Sequence, residues 1–271
     1  MMKRILFTLF LLSGLALFLA PHLTHAQRAE KPGAVHVLTI DGAISPAYAD
    51  YLKDEIADAQ ASGAGLIVVE MNTPGGLLTS TRSMVSAILN SPVPVAVYVT
   101  PSGSHAASAG TFILMAGHVA AMDTGTNVGA ATPVSIGNPV DFGKDKPGTK
   151  RKGGENAEDA NARALQDKAK EDTTAFIRSI AEMRGRNVEW AEQAVMNAKS
   201  ITEREALDQN VIDVVAASRE DLLEKIHFRN VEMKDGHLET IMTEGAPVIE
   251  KNPGAMTRFL AFICNPNLAA I

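Results

Sequence analysis

The stretch that decides the fold runs from Gly65 to Val99, GLIVVEMNTPGGLLTSTRSMVSAILNSPVPVAVYV. It begins with an apolar run rich in Val and Ile (65–71), continues through an amphipathic segment (78–90) and ends with a second apolar run (93–99). Short, continuously apolar runs are typical of strands that are buried on both faces, and the segment between them has helical periodicity. A strand, a helix and a strand in this order predict a right-handed crossover within a parallel sheet.

The same alternation continues on both sides of this stretch. Upstream, the pattern predicts a strand at 35–40 and a helix at 47–61. Downstream it predicts helices at 106–117, 163–184, 188–198 and 202–210, and strands at 118–123 and 211–217. We therefore predict an α/β fold in which helices cover a parallel sheet.

The N-terminus differs from the rest of the chain. Of the 271 residues 46% are hydrophobic and 21% are charged, which is the balance of a globular protein. Residues 1–26, however, combine a basic start, a long apolar run and small residues at Thr24 and Ala26. This pattern predicts an export signal that is cleaved after Ala26, or a membrane anchor if it is not cleaved.

The net charge and the cysteine content limit the partners and the cysteine chemistry of this chain. The formal charge is −6, and removal of residues 1–26 makes it more negative because Lys3 and Arg4 are lost and no acidic residue is lost. Nucleic acid is therefore not expected as a partner. Cys264 is the only cysteine, so the sequence excludes an internal disulfide and a multi-cysteine metal site. No cofactor and no metal site is predicted.

Two segments interrupt the alternation. Residues 137–162 contain glycine, proline and mixed charge with few apolar residues, which predicts a mobile loop that serves as a lid. Residues 226–271 are interpreted as a C-terminal extension whose tail, from 228, is rich in β-structure. Its apolar end, 256–271, is expected to lie close to a membrane, the alternative being a helix docked on the domain.

The candidate nucleophile lies in SGSHAASAG, residues 102–110, directly after the predicted strand 93–99. Ligands of parallel sheets bind where strands pass into helices, and a helix start offers unpaired backbone amides. Ser108 has small neighbours on both sides and is the least hindered serine. Ser102 and Ser104 are better explained as turn or N-cap residues.

A second turn of small residues, NTPGG at 72–76, follows the strand 65–71. Its proline fixes the turn and its two glycines permit a close approach of the backbone. Together the two turns supply what acyl transfer needs, namely a nucleophile and backbone donors for the developing oxyanion.

The serine also needs a base. A structural role is the better interpretation for His36 and His118, and His105 is poorly placed because it lies only three residues before Ser108. The alternative is a neutral lysine, for which the start of the helix 163–184 offers Lys168 and Lys170. The remaining histidines outside the export segment are His227 and His237.

Three segments together resemble the NfeD-type membrane-bound serine proteases, which are related to signal peptide peptidase A and to the Clp protease within the crotonase-like fold. The segments are MNTPGGLLTSTRSMV, AASAGTFILMAGHVAAMDTGTNVGAATPV and FIRSIAEMRGRNVEWAEQAV, and the resemblance covers about residues 34 to 217. It implies a Ser-Lys dyad with no cofactor. The Ala-Ser-Ala-Gly motif of the family falls on Ser108, and its lysine, counted back from Gly185, falls on Lys168.

The resemblance also implies the other site residues. Gly75 and Ala109 would supply the oxyanion amides, and Gly76 and Gly110 would contact the substrate. Lys168 would then accept the Ser108 proton and return it to the leaving amine. Residues 34–225 would form this catalytic domain.

The implied partner is a stomatin-like membrane protein that is cleaved within a hydrophobic segment. A homodimer or larger assembly, with the catalytic domain outside the cytoplasm, is implied as well. Longer members of the family carry several membrane spans and a small β-barrel after this domain. Two alternatives remain at this point: a noncatalytic scaffold that binds peptides for a membrane partner, and a crotonase-like acyl-CoA enzyme.

Overall fold

The structure is a computed structural model that describes residues 32–133 and 157–263. The predicted export segment, most of the predicted lid and the last eight residues lie outside the described residues. Among the described residues, no helix combines the length and the apolar character needed to cross a bilayer.

The elements alternate as the sequence predicts. The strands are β1 Val35–Asp41, β2 Leu66–Asn72, β3 Val95–Val99, β4 His105–Ala107, β5 Val119–Met122, β6 Asn127–Gly129, β7 Ser200–Thr202, β8 Val214–Val215, β9 Asn230–Glu232, β10 Leu238–Thr240 and β11 Val248–Lys251. The helices are α1 Pro46–Ser62, α2 Leu78–Leu89, α3 Ala109–Ala116, α4 Ala157–Met183, α5 Val188–Met196, α6 Glu203–Asp208, α7 Arg219–Ile226 and α8 Ala255–Ile263.

The main sheet has six parallel strands in the order β11-β1-β2-β3-β5-β8. Successive side chains of a strand point to opposite faces. Leu38 of β1 therefore packs into the core beneath α1, α2 and α3. Its neighbour Val37 packs on the other face, in the cluster that includes Leu222 and Ile226 of α7. Because both faces are covered, the strands read as continuous apolar runs.

The C-terminal stretch corrects one prediction. The described residues from Pro32 onward form one compact unit. β11 pairs with β1, with Val248 opposite Val35, so it completes the main sheet. The tail is rich in β-structure, as predicted, but residues 226–251 are part of the domain and not an extension of it.

The predicted loop 137–162 also ends earlier than expected, because α4 already begins at Ala157. The residues 157–162, AEDANA, include three alanines, which have the highest helix propensity, and two acidic residues, which favour a helix N-terminus. The start of this helix was not predicted, because the segment is mostly polar.

A small second sheet, in the order β4-β6-β7, places the site. β2 ends at Asn72, and the next residue, Thr73, pairs with β4: its N–H donates to His105 O (2.8 Å) and its carbonyl accepts from Ala107 N–H (3.1 Å). The turn at 72–76 and the junction after β4 therefore lie side by side.

Candidate active site

Ser108 stands between β4 and α3 in a strained conformation. Its backbone has φ 50° and ψ −111°, a region that residues other than glycine seldom adopt. Two hydrogen bonds hold it there: its N–H donates to Gly129 O (3.0 Å) and its carbonyl accepts from Thr111 N–H (3.0 Å). As the N-cap residue of α3 it makes no side-chain capping bond, so its hydroxyl remains available. A strained serine at a strand-to-helix turn is how α/β-hydrolases present their nucleophile.

The backbone amides around Ser108 differ in what they bind. Gly75, in the left-handed region at φ 116°, lies against the Ser108 side chain. Its amide, which the family resemblance implies as an oxyanion donor, donates instead to Thr73 Oγ1 at 3.1 Å. The amide of Ala109, the other predicted donor, is the first of α3 and has no acceptor within the helix. Gly76 N–H has no hydrogen-bond partner among the described residues.

The two glycines predicted to contact substrate have different surroundings. Gly76 lines a cavity together with Ser108. A Cβ at Gly76 would lie 2.1 Å from Ile44 O, so only glycine permits the pairing of the turn with Ile44. Gly110 is buried inside the fold, and a Cβ there would lie 2.6 Å from Thr73 Cγ2. Gly110 therefore allows α3 to pack against the turn, and it does not line the cavity.

The cavity beside Ser108 has a volume of about 230 Å³. Its polar wall includes Ser108, Thr81, Thr173 and Gln166. Most of the other lining residues are apolar: Leu77, Leu78, Phe112, Ala131, Pro133 and Ala169. Leu77 and Leu78 are more than a third exposed, so the apolar wall continues to the surface. The shape and chemistry suit an apolar side chain next to the Ser108 hydroxyl.

The candidate lysines do not line this cavity. Lys168 is exposed and Lys170 is half-buried. The face of α4 that points to the cavity carries Gln166, Ala169 and Thr173. Each helical residue is rotated by about 100° from the one before it, so Lys168 points away from this face and Lys170 lies nearer to it. The buried amine that a Ser-Lys dyad requires is therefore not found at Lys168 in this arrangement.

Neither His118 nor His105 is placed as a base for Ser108. His118, buried just before β5, accepts a hydrogen bond from Val95 N–H through Nδ1 (3.2 Å). Burial, followed by the charges of Arg184 and Arg186, lowers the pKa of His118 to about 3. His105 is half-buried in β4, and like His118 it does not line the cavity. The structural role of His118 agrees with the interpretation from the sequence.

The other two serines of the motif belong to a turn, as the sequence predicts. Ser104 N–H donates to Pro101 O at 2.9 Å, which closes the turn around Ser102. Ser102 is exposed and Ser104 is buried. Both line a different cavity from that of Ser108.

Sequence reasoning missed the residues of α4 that face the cavity. Ile177 and Ile180 of this helix are buried in the core. Their spacing, continued towards the N-terminus in steps of three and four, passes through Thr173, Ala169 and Gln166. The helical period of the buried residues was thus the signal that identifies this face.

Residues 34–236 match the family described as the N-terminal domain of NfeD1b. The chain belongs to this family. The matched region contains every residue of the site described above and ends within the β9–β10 hairpin.

Several known proteins resemble this NfeD1b-family chain. The membrane-bound protease PH1510 of Pyrococcus horikoshii is 30% identical over 236 residues, which cover 87% of this chain and 49% of PH1510. The membrane protein NfeD1b of Bacillus subtilis is 36% identical over 116 residues, 42% of this chain and 25% of that protein. The chain thus spans about half or less of the length of these relatives.

A solved structure confirms the predicted Clp protease-like α/β fold. It is that of 1510-N, a membrane-bound stomatin-specific protease, in the form of a lysine-to-alanine variant in complex with a substrate peptide. Its TM-score is 0.70 at 30% sequence identity, and the match covers 86% of this chain and 98% of that one.

Proposed function

We propose that this chain is a serine endopeptidase in which Ser108 is the nucleophile. The observation that carries the proposal is the strained conformation of Ser108 at the start of α3, with a free hydroxyl beside an apolar cavity. The similarity to PH1510, a protein named as a protease, supports the same reaction class. The apolar wall of Leu77, Leu78 and Phe112 favours a substrate with hydrophobic side chains at the cleaved bond.

The reaction proceeds in two steps. A base takes the proton of Ser108 Oγ, and the oxygen attacks the peptide carbonyl carbon to form a tetrahedral oxyanion. The C–N bond then breaks as the base returns the proton to the leaving amine, and water hydrolyses the resulting ester. Ala109 N–H is one oxyanion donor, and Gly76 N–H, which has no competing acceptor among the described residues, is better suited than Gly75 N–H as the second.

We assign the base to Lys168, and this assignment requires a rearrangement. The Lys168 amine reaches Ser108 only when the first turns of α4 rotate about the helix axis. Lys168 would then face the cavity in place of Gln166 and Ala169. These turns directly follow residues 134–156, which lie outside the described residues. A substrate chain bound along the cavity is the natural cause of such a rotation, since it would contact the same face of α4.

The proposed partner is a stomatin-like membrane protein, cleaved within a hydrophobic segment. The stomatin specificity named for 1510-N and the apolar cavity of this chain support the proposal. The proposed location is outside the cytoplasm, at the membrane to which residues 1–26 direct the chain, and the proposed assembly is a homodimer or larger. The catalytic domain is proposed to comprise residues 34–225 together with the segment up to β11, which completes the main sheet.

The second candidate function is a noncatalytic peptide-binding scaffold. Two observations favour it, the exposure of Lys168 and the bond of Gly75 N–H to Thr73 Oγ1. In this case the cavity would bind an apolar segment without cutting it.

Incubation of the full chain, purified in detergent, with a panel of peptides that contain apolar segments distinguishes the two. Peptidase activity predicts cleavage by wild type, loss of cleavage in Ser108→Ala, and retained cleavage in Ser102→Ala, a turn serine that serves as the matched control. A fluorophosphonate should label Ser108 covalently, as detected by mass spectrometry of the digest. Peptide binding without cleavage or labelling would favour the scaffold, and cleavage by Ser108→Ala equal to wild type would exclude Ser108 as the nucleophile.

A further inference from the structure

Three potential metal ligands meet where α1 packs on β1. His36 of β1 and Glu55 and Asp58 of α1 each offer one ligand atom, and these atoms all lie within 4.8 Å of one another. His36 is 1% exposed, whereas Asp58 is exposed. The group is therefore open to solvent on the α1 side and has a buried imidazole at its base.

Ser62 contacts the ring nitrogen of His36 that does not face the carboxylates. Ser62 Oγ donates to Asp58 O at 2.8 Å, and it can then accept from His36 Nε2, 3.5 Å away. In the tautomer with its proton on Nε2, the lone pair of Nδ1 faces Asp58 Oδ2 at 3.9 Å. Metal-binding histidines commonly have their second nitrogen oriented by such a partner.

Two buried ligand atoms of this group receive no hydrogen bond from the described residues. His36 Nδ1 and Glu55 Oε2 are both buried and make no hydrogen bond. In this tautomer a nitrogen lone pair faces two carboxylates, and a cation between them stabilises that arrangement. The group thus has the charge and the unused ligand atoms of a cation site.

Lys251 of β11 neutralises this group only in part. Its Nζ lies 2.6 Å from Asp58 Oδ2 but 4.0 Å from Glu55 Oε2, and it makes no bond to His36. One ammonium faces two carboxylates, so a negative charge remains.

We propose that His36 Nδ1, Glu55 and Asp58 form a binding site for a divalent transition metal, of which Zn²⁺ is the best match. One imidazole nitrogen with two carboxylates is a ligand set that zinc accepts, whereas Mg²⁺ and Ca²⁺ prefer oxygen ligands alone. The ion displaces the Lys251 ammonium, whose partly exposed side chain can extend into solvent. Bound Zn²⁺ balances the two carboxylates, which the single charge of lysine does not.

The site would act as a clamp between β1 and α1. It shares no residue with the Ser108 cavity, so the inference is independent of the proposed peptidase activity. Since the ion binds the folded chain and not the unfolded one, it stabilises the domain.

The test is zinc binding by the full chain, purified in detergent and stripped with EDTA. Isothermal titration with ZnCl₂ should give one site per chain, a higher melting temperature with Zn²⁺, and no comparable effect of MgCl₂. His36→Asn and Asp58→Asn should each weaken binding by about tenfold or more. Melting curves without metal establish that each variant is folded, and Asp58→Asn provides the test if His36→Asn is not.

Two further variants make the test specific. Lys251→Met should bind Zn²⁺ more tightly than wild type, because the competing ammonium is gone. Asp235→Asn, which alters the exposed pair of Asp235 and His237, should leave binding unchanged. The proposal is overturned if wild type binds no Zn²⁺, if Asp58→Asn binds as well as wild type, if Lys251→Met binds more weakly, or if Asp235→Asn alone removes binding.

Discussion

Gly75 and Ser108 lie so close together that there is no room for a single added carbon between them. A Cβ at Gly75 would be 2.6 Å from Ser108 Cβ and 3.1 Å from Ser108 Oγ. The same glycine has φ 116°, which other residues rarely adopt. The turn after β2 therefore holds Ser108 in place by direct contact of its backbone, and the two small-residue turns form one unit.

Gly75→Ala should abolish peptide cleavage and lower the free energy of unfolding by roughly 2 kcal/mol or more, because it adds both backbone strain and a steric overlap. Gly103→Ala is the matched control: Gly103 has φ 89°, but a Cβ there meets nothing within 4 Å. We expect the control to lose stability through strain alone and to retain activity. Urea denaturation and peptide cleavage measure the two effects, and an active Gly75→Ala would disprove the contact as a requirement.

The strained backbone of Ser108 predicts that glycine at this position removes activity but gives a more stable fold than alanine does. Glycine accepts φ 50° and ψ −111° without the penalty that a Cβ brings. Ser108→Gly should therefore be more stable than Ser108→Ala by about 1 kcal/mol, and both should be inactive. Urea denaturation of the two variants decides this, and equal stabilities would show that the backbone relaxes when the hydroxyl is removed.

The fold was predictable because its strands are buried on both faces. The apolar runs at 35–40, 65–71, 93–99 and 118–123 correspond to β1, β2, β3 and β5 of the main sheet. The three-residue strands β4, β6 and β7 escaped prediction, since three residues are too few to show a period. β11 was assigned to a separate extension because sequence pattern does not reveal that a distant segment returns to pair with β1.

The geometry of the candidate site was predictable only where the local backbone determines it. Ser108 and Gly76 lie in turns whose small residues already indicate close approach. The direction of the Gly75 amide depends on the Thr73 side chain, and the direction of Lys168 depends on how α4 is rotated against the core. Counting residues from a motif gives a position along the helix but not the face on which it lies.

The lysine assignment predicts a loss of activity at one position. Lys168→Ala should reduce peptide cleavage by at least about a hundredfold, which is the usual contribution of a general base. Lys168→Arg should be equally impaired although it keeps the positive charge, because arginine is not deprotonated in proteins. Lys170→Ala should keep most of the activity. The reverse result, loss in Lys170→Ala alone, would transfer the role to the half-buried lysine.

The same mechanism predicts how activity depends on pH. Only the neutral amine accepts the proton of Ser108, so kcat/KM should rise with pH and reach an alkaline plateau. The measurement is the rate of peptide cleavage from pH 6 to 10 under conditions in which chemistry limits the rate. A rate that stays constant over this range would contradict a lysine base.

His118 predicts a loss of stability in acid. Its pKa in the folded protein is lowered to about 3, first by burial and then by Arg184 and Arg186, so the unfolded chain binds a proton that the folded chain does not. The contribution of neutral His118 is complete above its ordinary pKa of about 6.5 and decreases as the pH falls towards 3. Between pH 6.5 and 4.5 wild type should lose about 2 kcal/mol more unfolding free energy than His118→Asn, whose amide oxygen can still accept from Val95 N–H.

His237→Asn is the control of opposite sign, because Asp235 raises the pKa of exposed His237. Urea denaturation at several pH values measures the difference, and identical acid slopes for wild type and His118→Asn would mean that His118 is protonated in the fold without cost.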